Sequence, residues 1–419
     1  MTATLPTPGD CNFTKTLPQF PNSVYLHIPF CRRRCYYCDF PISVLGDKAR
    51  GENSGSIEQY VKVLCAEISQ TTAPRNQLET VFFGGGTPSL LSVPQLEWIL
   101  ATLERYLGIS ADAEISLEID PGTFSKKQLQ GYYHAGVNRV SLGVQAFQDE
   151  ILQLCGRSHT TTDIFAAIEL IEQVGISNFS LDLISGLPHQ TLATWEESLE
   201  NAGQISPAHI SCYDLVLEPV TAFGRKYQPG AKPLPTDEIT AQMYRQAQQI
   251  LSSYGYEHYE ISNYARSGFQ CRHNRVYWKN RPYYGFGMGA ASYVNQQRFT
   301  RPRTRKEYSA WVEAGCQIDV PKSDNNDILL ETLMLGLRLA EGISLAWINQ
   351  YYGQEILNQI WDCLQPYYQQ GLVEITNTKI EVEKRQTLPI TGKLRLSDPD
   401  GFLFSNTILA ALFSQLGQD

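Results

Sequence analysis

From residue 23 onward the chain alternates short β-type runs with helical patterns, and this feature constrains its fold more than any other. The β-type runs are SVYLHIP (23–29), TVFFGGG (80–86), EISLEID (114–120), RVSLGVQ (139–145), NFSLDLISG (178–186) and HISCYDLV (209–216). Between them lie helical-period segments such as IEQYVKVLCAEIS (57–69), PQLEWILATLERYL (94–107) and DIFAAIELIEQVG (163–175). Parallel strands need long connections, usually helices, so this alternation predicts a parallel α/β sheet. Right-handed crossovers let such a sheet close, or nearly close, into a barrel. An open doubly wound sheet is the alternative.

Several of these strands end in unusual residues: Gly84-Gly85-Gly86-Thr87-Pro88, Glu118 with Asp120, Gln145, and Asp182. In a βα barrel those ends face one common cavity. A single carboxylate there would be no more than a helix cap. Polar or glycine-rich ends on consecutive strands predict a site.

The alternation weakens after about residue 230. From about residue 306 the pattern is mainly helical, followed by strand-like GLVEITNTKIEVE (371–383) and GKLRLSDPDGFLFSN (392–406) and a closing helix. This predicts a tail over 1–22, a barrel with its extension over 23–305, and a smaller, mainly helical domain with a short β wing over 306–419.

A hydrophobic content of 42% indicates a real core, and the net charge of −9 argues against nucleic-acid binding. The basic stretch RFTRPRTRKEY (298–308) is expected to be a solvated surface loop. No apolar run reaches the roughly 18 residues a membrane helix needs, and the first twenty residues lack a secretory signal's basic and apolar regions. Seven of the ten cysteines are scattered singly, which suits a reducing cytoplasm.

The other three, Cys31, Cys35 and Cys38, stand in CRRRCYYC immediately after the first strand. Thiolates at this spacing can face one centre. Zinc in a closed site would want a fourth protein ligand, with His27 within reach. A [4Fe–4S] cluster with three thiolates keeps one iron open for a non-protein ligand.

CRRRCYYC directly after YLHIPF, with GGGTPS at 84–89, resembles the radical S-adenosylmethionine (SAM) superfamily. The resemblance implies a (β/α)6-type partial barrel and a [4Fe–4S] cluster on Cys31, Cys35 and Cys38 whose open iron is chelated by SAM. With EIDPGTF, RVSLGVQAF, SLDLISGLPHQT, YEISNYA and HNRVYW, the chain is similar to the oxygen-independent coproporphyrinogen III oxidase-like family over roughly residues 23 to 390. That likeness implies that Tyr25 and Tyr37 lie beside the SAM methionine. It places Gly85, Gly86 and Thr87 at the SAM amino group, and Glu118, Gln145, Arg157 and Asp182 on the adenosyl and second-ligand side. The chemistry agrees, since a glycine turn lets backbone approach a charged ligand and a guanidinium fork suits a carboxylate.

Two paralogous types share these motifs. The oxidases look like CxxxCxxCxC, with an extension before the first strand. The HemW-type heme chaperones look like CxxxCxxCxF and carry HNxxYW. Here Phe40 stands at the deciding position, residues 273–278 read HNRVYW, and only about 22 residues precede the first strand. The resemblance therefore implies a chaperone rather than an enzyme, one that binds heme and passes it to apo-proteins of the respiratory chain. The alternative is oxidative decarboxylation of coproporphyrinogen III to protoporphyrinogen IX. Delivery to membrane-bound acceptors would imply peripheral association with the membrane, and a homodimer stays open. His273, in an aromatic neighbourhood, is the candidate heme ligand; the competing reading is that it simply packs the barrel. No catalytic residue is assigned.

Overall fold

The computed structural model describes residues 20–47, 50–71, 77–376 and 388–417. Most of the N-terminal tail expected over 1–22, namely residues 1–19, lies outside them. The chain divides into two compact units.

The larger unit comprises residues 20–277 and 282–323. It opens with β1 (Ser23–Ile28), then a two-residue parallel pair, β2 (Phe30–Cys31) with β3 (Ser43–Val44), which closes the cysteine loop. The βα alternation follows: α1 (Gly55–Gln70), β4 (Leu78–Gly85), α2 (Val93–Tyr106), β5 (Ile109–Ile119), α3 (Lys126–His134) and β6 (Arg139–Gln145). It continues through α4 (Asp149–Leu154), α5 (Thr161–Val174), β7 (Phe179–Ser185), α6 (Leu192–Ile205) and β8 (His209–Asp214). Helix starts are set by side chains written into the sequence. Ser92 with Gln95, and Thr160 with Asp163, form reciprocal capping boxes at α2 and α5.

Strands β1, β4, β5, β6, β7 and β8 lie side by side in chain order, all parallel. A doubly wound sheet would reverse its strand order at a switch point; this order does not reverse, so the partial barrel holds. After α7 (Ala222–Lys226) and α8 (Asp237–Ser253), β9 (Glu257–Glu260) and β10 (Asn263–Ala265) extend the β8 edge antiparallel. α9 (Arg272–Trp278) follows, and β11 (Tyr284–Phe286) pairs parallel with β1 at the opposite edge.

Burial follows a period of two along each strand. Val24, Leu26, Leu117, Val140, Leu142 and Leu181 are fully buried in the apolar core shared with the helices. Alternate positions put Tyr25, Phe82, Glu118, Arg139, Ser141, Asp182 and Ser211 on a cavity wall. Register aligns them across the sheet: Glu118 opposite Ser141, and Asp182 opposite both Gly143 and Ser211.

The basic stretch 298–308 is not the solvated loop its composition suggests. Residues Gln297–Thr300 form a hairpin strand with Ala291–Val294, and a helix runs over Arg305–Glu313. Between them Arg301 is buried and pairs with buried Glu67 at 2.7 Å, while Tyr308 donates to the same carboxylate at 2.5 Å. A buried guanidinium must be paired, and this one is.

The smaller unit comprises residues 278–281 together with the chain from 324. Its main helices are Asn325–Gly336, Leu345–Gln369 and Ser405–Leu416, the second broken at Gly353, where φ is +82°. Strands Ile343–Ser344, Lys393–Leu396 and Val373–Thr376 form a three-stranded sheet. Of the strand expected over 371–383, Val373–Thr376 is present and residues 377–383 lie outside the described residues.

Candidate functional site

A cavity of about 530 Å³ opens at the C-terminal ends of the parallel strands, and Cys31, Cys35 and Cys38 stand on its wall. The loop that presents them is held by its own residues. Arg34 donates from Nη1 to the carbonyls of Cys38 and Phe40, each at 3.2 Å, and from Nη2 to that of Ile42 at 3.3 Å. The Tyr36 amide donates to the Cys155 carbonyl at 3.0 Å. None of the three cysteines is disulfide-bonded. Burial pushes the Cys31 thiol up to about 12 and raises that of Cys38. These thiols stay protonated until a cationic centre draws them, so loading such a centre releases protons.

The same cavity gathers Tyr37, Gly85, Gly86, Thr87, Glu118, Gln145, Arg157 and Asp182. Gly85 has φ +107°, and a Cβ there would meet the His27 ring at 2.4 Å; a Cβ on Gly86 would meet the Ile28 and Phe30 carbonyls at 2.8 and 2.7 Å. The glycines are needed for this close approach. The Gly85 amide donates to Glu118 Oε2 at 3.0 Å, and Thr87 Oγ1 donates to Asp120 Oδ2 at 3.1 Å. The β6–β7 register shifts between Gly143 and Gln145, and Gln145 adopts φ +71°, a left-handed conformation rare outside glycine.

Arg157 joins the two sides of the cavity. Nη1 donates to Cys35 Sγ at 3.3 Å, while Nη2 donates to Asp120 Oδ1 at 2.5 Å and to the Gly143 carbonyl at 3.1 Å. Asp120 appears in the sequence only as a polar strand end, and its pairing with Arg157 has no local signal.

Two carboxylates share the inner wall. Glu118 is pushed up to about 8 by burial and then by Asp182, while Asp182 is itself raised by burial. Asp182 accepts from Ser141 Oγ at 2.9 and 3.0 Å and from Ser180 Oγ at 3.2 Å. Behind Ser180 the bonds have one direction. Ser180 Oγ donates its one proton to Asp182, so toward His209 it accepts, and His209 Nδ1 carries the proton of the 2.8 Å bond. That leaves His209 Nε2 to accept from the Tyr259 hydroxyl at 2.9 Å, while the Cys271 amide donates to the same hydroxyl at 3.3 Å.

Tyr25 and His273 lie elsewhere. They line a second chamber of about 180 Å³, which shares Phe40, Gly85, Glu118, Ser141, Asp182 and Tyr213 with the first. Tyr25, expected beside the methionine moiety of SAM, bonds His27 Nδ1 at 3.0 Å. His27 Nε2 bonds the Pro41 carbonyl at 3.0 Å, so both of its ring nitrogens are engaged and the zinc alternative loses its fourth ligand. Among the described residues no three His, Cys, Asp or Glu side chains, Cys31, Cys35 and Cys38 included, converge on a single metal ion, which speaks against zinc, whereas a cluster takes its thiolates on separate irons.

His273 also departs from expectation. Its Nδ1 bonds Thr80 Oγ1 at 2.7 Å and its Nε2 bonds Tyr277 OH at 2.8 Å, with the Phe82 ring stacked 5.2 Å away. The side chain is buried, and burial brings its pKa down to about 3. Binding iron would require His273 to give up one of these two hydrogen bonds. The HNRVYW stretch forms α9, whose first amides, Arg272 and His273, both donate to Glu114, each at 3.1 Å.

The three thiols and the open wall beside them suit a cluster with one unprotected iron, and the glycine turn with Glu118 suits an ammonium-bearing ligand. Comparison with known proteins agrees. The radical SAM superfamily model matches residues 25–202, and the HemN C-terminal domain model matches 324–385. The heme chaperone HemW of Synechocystis sp. is 48% identical over 406 residues, 95% of this chain and 98% of that one. The heme chaperone HemW of Bacillus subtilis is 34% identical, over 85% and 94%. The structure of coproporphyrinogen III oxidase (HemN) from Escherichia coli aligns with a TM-score of 0.78 at 22% identity, covering 94% of this chain and 90% of that one, a likeness of fold.

Proposed function

This chain belongs to the family of HemW heme chaperones within the radical SAM superfamily, and from that premise we propose that it binds heme and delivers it to apo-proteins. The superfamily implies a [4Fe–4S] cluster and SAM. Cys31, Cys35 and Cys38 would hold the cluster, which supplies an open iron and a single electron. The residues around it have separable tasks. Arg157 steadies the Cys35 sulfur and Asp120 together. The turn at Gly85, Gly86 and Thr87 with Glu118 would receive the SAM amino group. Gln145, Arg157 and Asp182 would flank the rest of SAM, beside Tyr37.

The observation that carries the chaperone reading is Phe40. It stands two residues after Cys38, where the oxidase pattern has a further cysteine, and it is 54% exposed on the cavity wall. An aromatic side chain left in water at that point offers a surface to a flat apolar ligand. Among the described residues no helix is long and apolar enough to cross a membrane, so delivery to membrane-bound acceptors would require peripheral docking.

The test pairs two measurements on anaerobically reconstituted protein. Hemin titration should saturate at one equivalent. Incubation with coproporphyrinogen III, SAM and a strong reductant should yield no protoporphyrinogen; its formation would overturn the chaperone reading.

A further inference from the structure

Exposed apolar side chains concentrate at the mouth of the cluster cavity. Phe40 comes from the loop after β1; Tyr213, 43% exposed, and Val216, 65% exposed, come from the end of β8 and its following loop. All three line the cavity, and the cysteine loop is tied to α7, which follows the β8 loop, by the Phe223 amide donating to the Tyr36 carbonyl at 2.9 Å. Apolar surface gathered in one exposed place marks a ligand face.

Cations stand on the same cavity wall. Arg32 donates from Nη2 to the Gly122 carbonyl at 2.7 Å, but its buried Nε has no hydrogen-bond partner among the described residues. Arg33 is exposed, and its partner Asp47 is a surface carboxylate. Exposed pairs of this kind contribute little and exchange readily. Asp39 and Glu218 also line the cavity, which disfavours a polyanion. A ligand with carboxylates on one edge only, and an apolar body elsewhere, meets both features.

We propose that heme docks at this mouth, its macrocycle against Phe40, Tyr213 and Val216 and its propionates on Arg32 and Arg33. The proposal rests on the heme-binding reading and names its site. Heme held by stacking and by carboxylate–guanidinium pairs at an open mouth is accessible to an acceptor, and His273 keeps its hydrogen bonds.

Hemin and hemin dimethyl ester are titrated into the full-length, cluster-loaded protein, its Phe40→Ser variant, its Arg32→Ala/Arg33→Ala double variant, and a Trp98→Ala control from an exposed aromatic on α2. Both mouth variants should weaken hemin about tenfold or more at unchanged iron content. Wild type should prefer hemin to its ester, and the arginine variant should lose that preference. Stoichiometric hemin binding that neither mouth variant alters would overturn the site while leaving the chaperone reading intact. No hemin binding by wild type would overturn both.

Discussion

The Arg157 guanidinium donates to the Cys35 sulfur at 3.3 Å while holding Asp120 at 2.5 Å, so one side chain couples a cluster ligand to the end of β5. N–H donors to a cluster thiolate raise its reduction potential by offsetting negative charge. Arg157→Ala should therefore lower the potential of the reconstituted cluster, followed by redox titration of its paramagnetic signal. It should also destabilise the fold by about 2 kcal/mol, because Asp120 keeps its Thr87 donor but loses its counter-ion. An unchanged potential would remove Arg157 from the cluster environment.

Glu118 supplies the pH dependence. Its carboxyl lies at about 8 in the folded chain against an ordinary 4.5, raised by burial and then by Asp182. Between those values the folded state binds a proton that the unfolded state does not. The contribution of Glu118 is thus fully present below about pH 4.5 and is lost as pH rises through 8. Glu118→Gln should be more stable than wild type at pH 9, by roughly 3 kcal/mol, with the gap closing toward pH 5 in denaturant titrations. An ammonium paired with Glu118 requires the anion. SAM binding should then release a proton at pH 7, readable by calorimetry in buffers of different ionisation enthalpy.

The architecture was legible because short β-type runs alternate with helical-period segments, the pattern of parallel strands joined by helical crossovers, and β1, β4, β5, β6, β7 and β8 follow it. The cysteine loop and glycine turn were legible because each is local. The inner wall was harder to see. Arg139, Ser141, Ser180, His209 and Ser211 alternate with the core residues at period two, yet alternation does not say which face meets a cavity. Pairings made across the sheet left no local trace: Arg157 with Asp120, Arg301 with Glu67, and His273 with Thr80. The last misleads most, since a histidine among aromatic residues looks like a ligand until both of its partners are seen. Tyr284 and Phe286 likewise lie close in sequence to His273, and nothing local shows that they form a strand on the β1 edge.

His273→Ala should act on stability rather than on heme. The substitution removes the partner of Thr80 and Tyr277 and empties space against Phe82, a loss of about 2 to 3 kcal/mol. Hemin affinity, measured below the lowered melting temperature, should stay within about twofold of wild type. A variant that folds normally yet loses hemin would restore His273 as the iron ligand.

The directed bonds from Tyr259 through His209 and Ser180 end on Asp182, and they make His209 a positioning residue for the proposed SAM site. His209 is fully buried, so it acts on a ligand only through Ser180 and Asp182. His209→Phe withdraws the donor that orients the Ser180 hydroxyl. Asp182, already raised by burial, then loses a well-aligned donor and rises further. A ligand that needs the Asp182 anion should bind about tenfold more weakly at pH 7, and its affinity should recover at higher pH than in wild type. His209→Asn keeps an N–H near the Nδ1 position and should restore part of the affinity. Equal loss in both variants, with no displacement of the pH profile, would reduce His209 to packing.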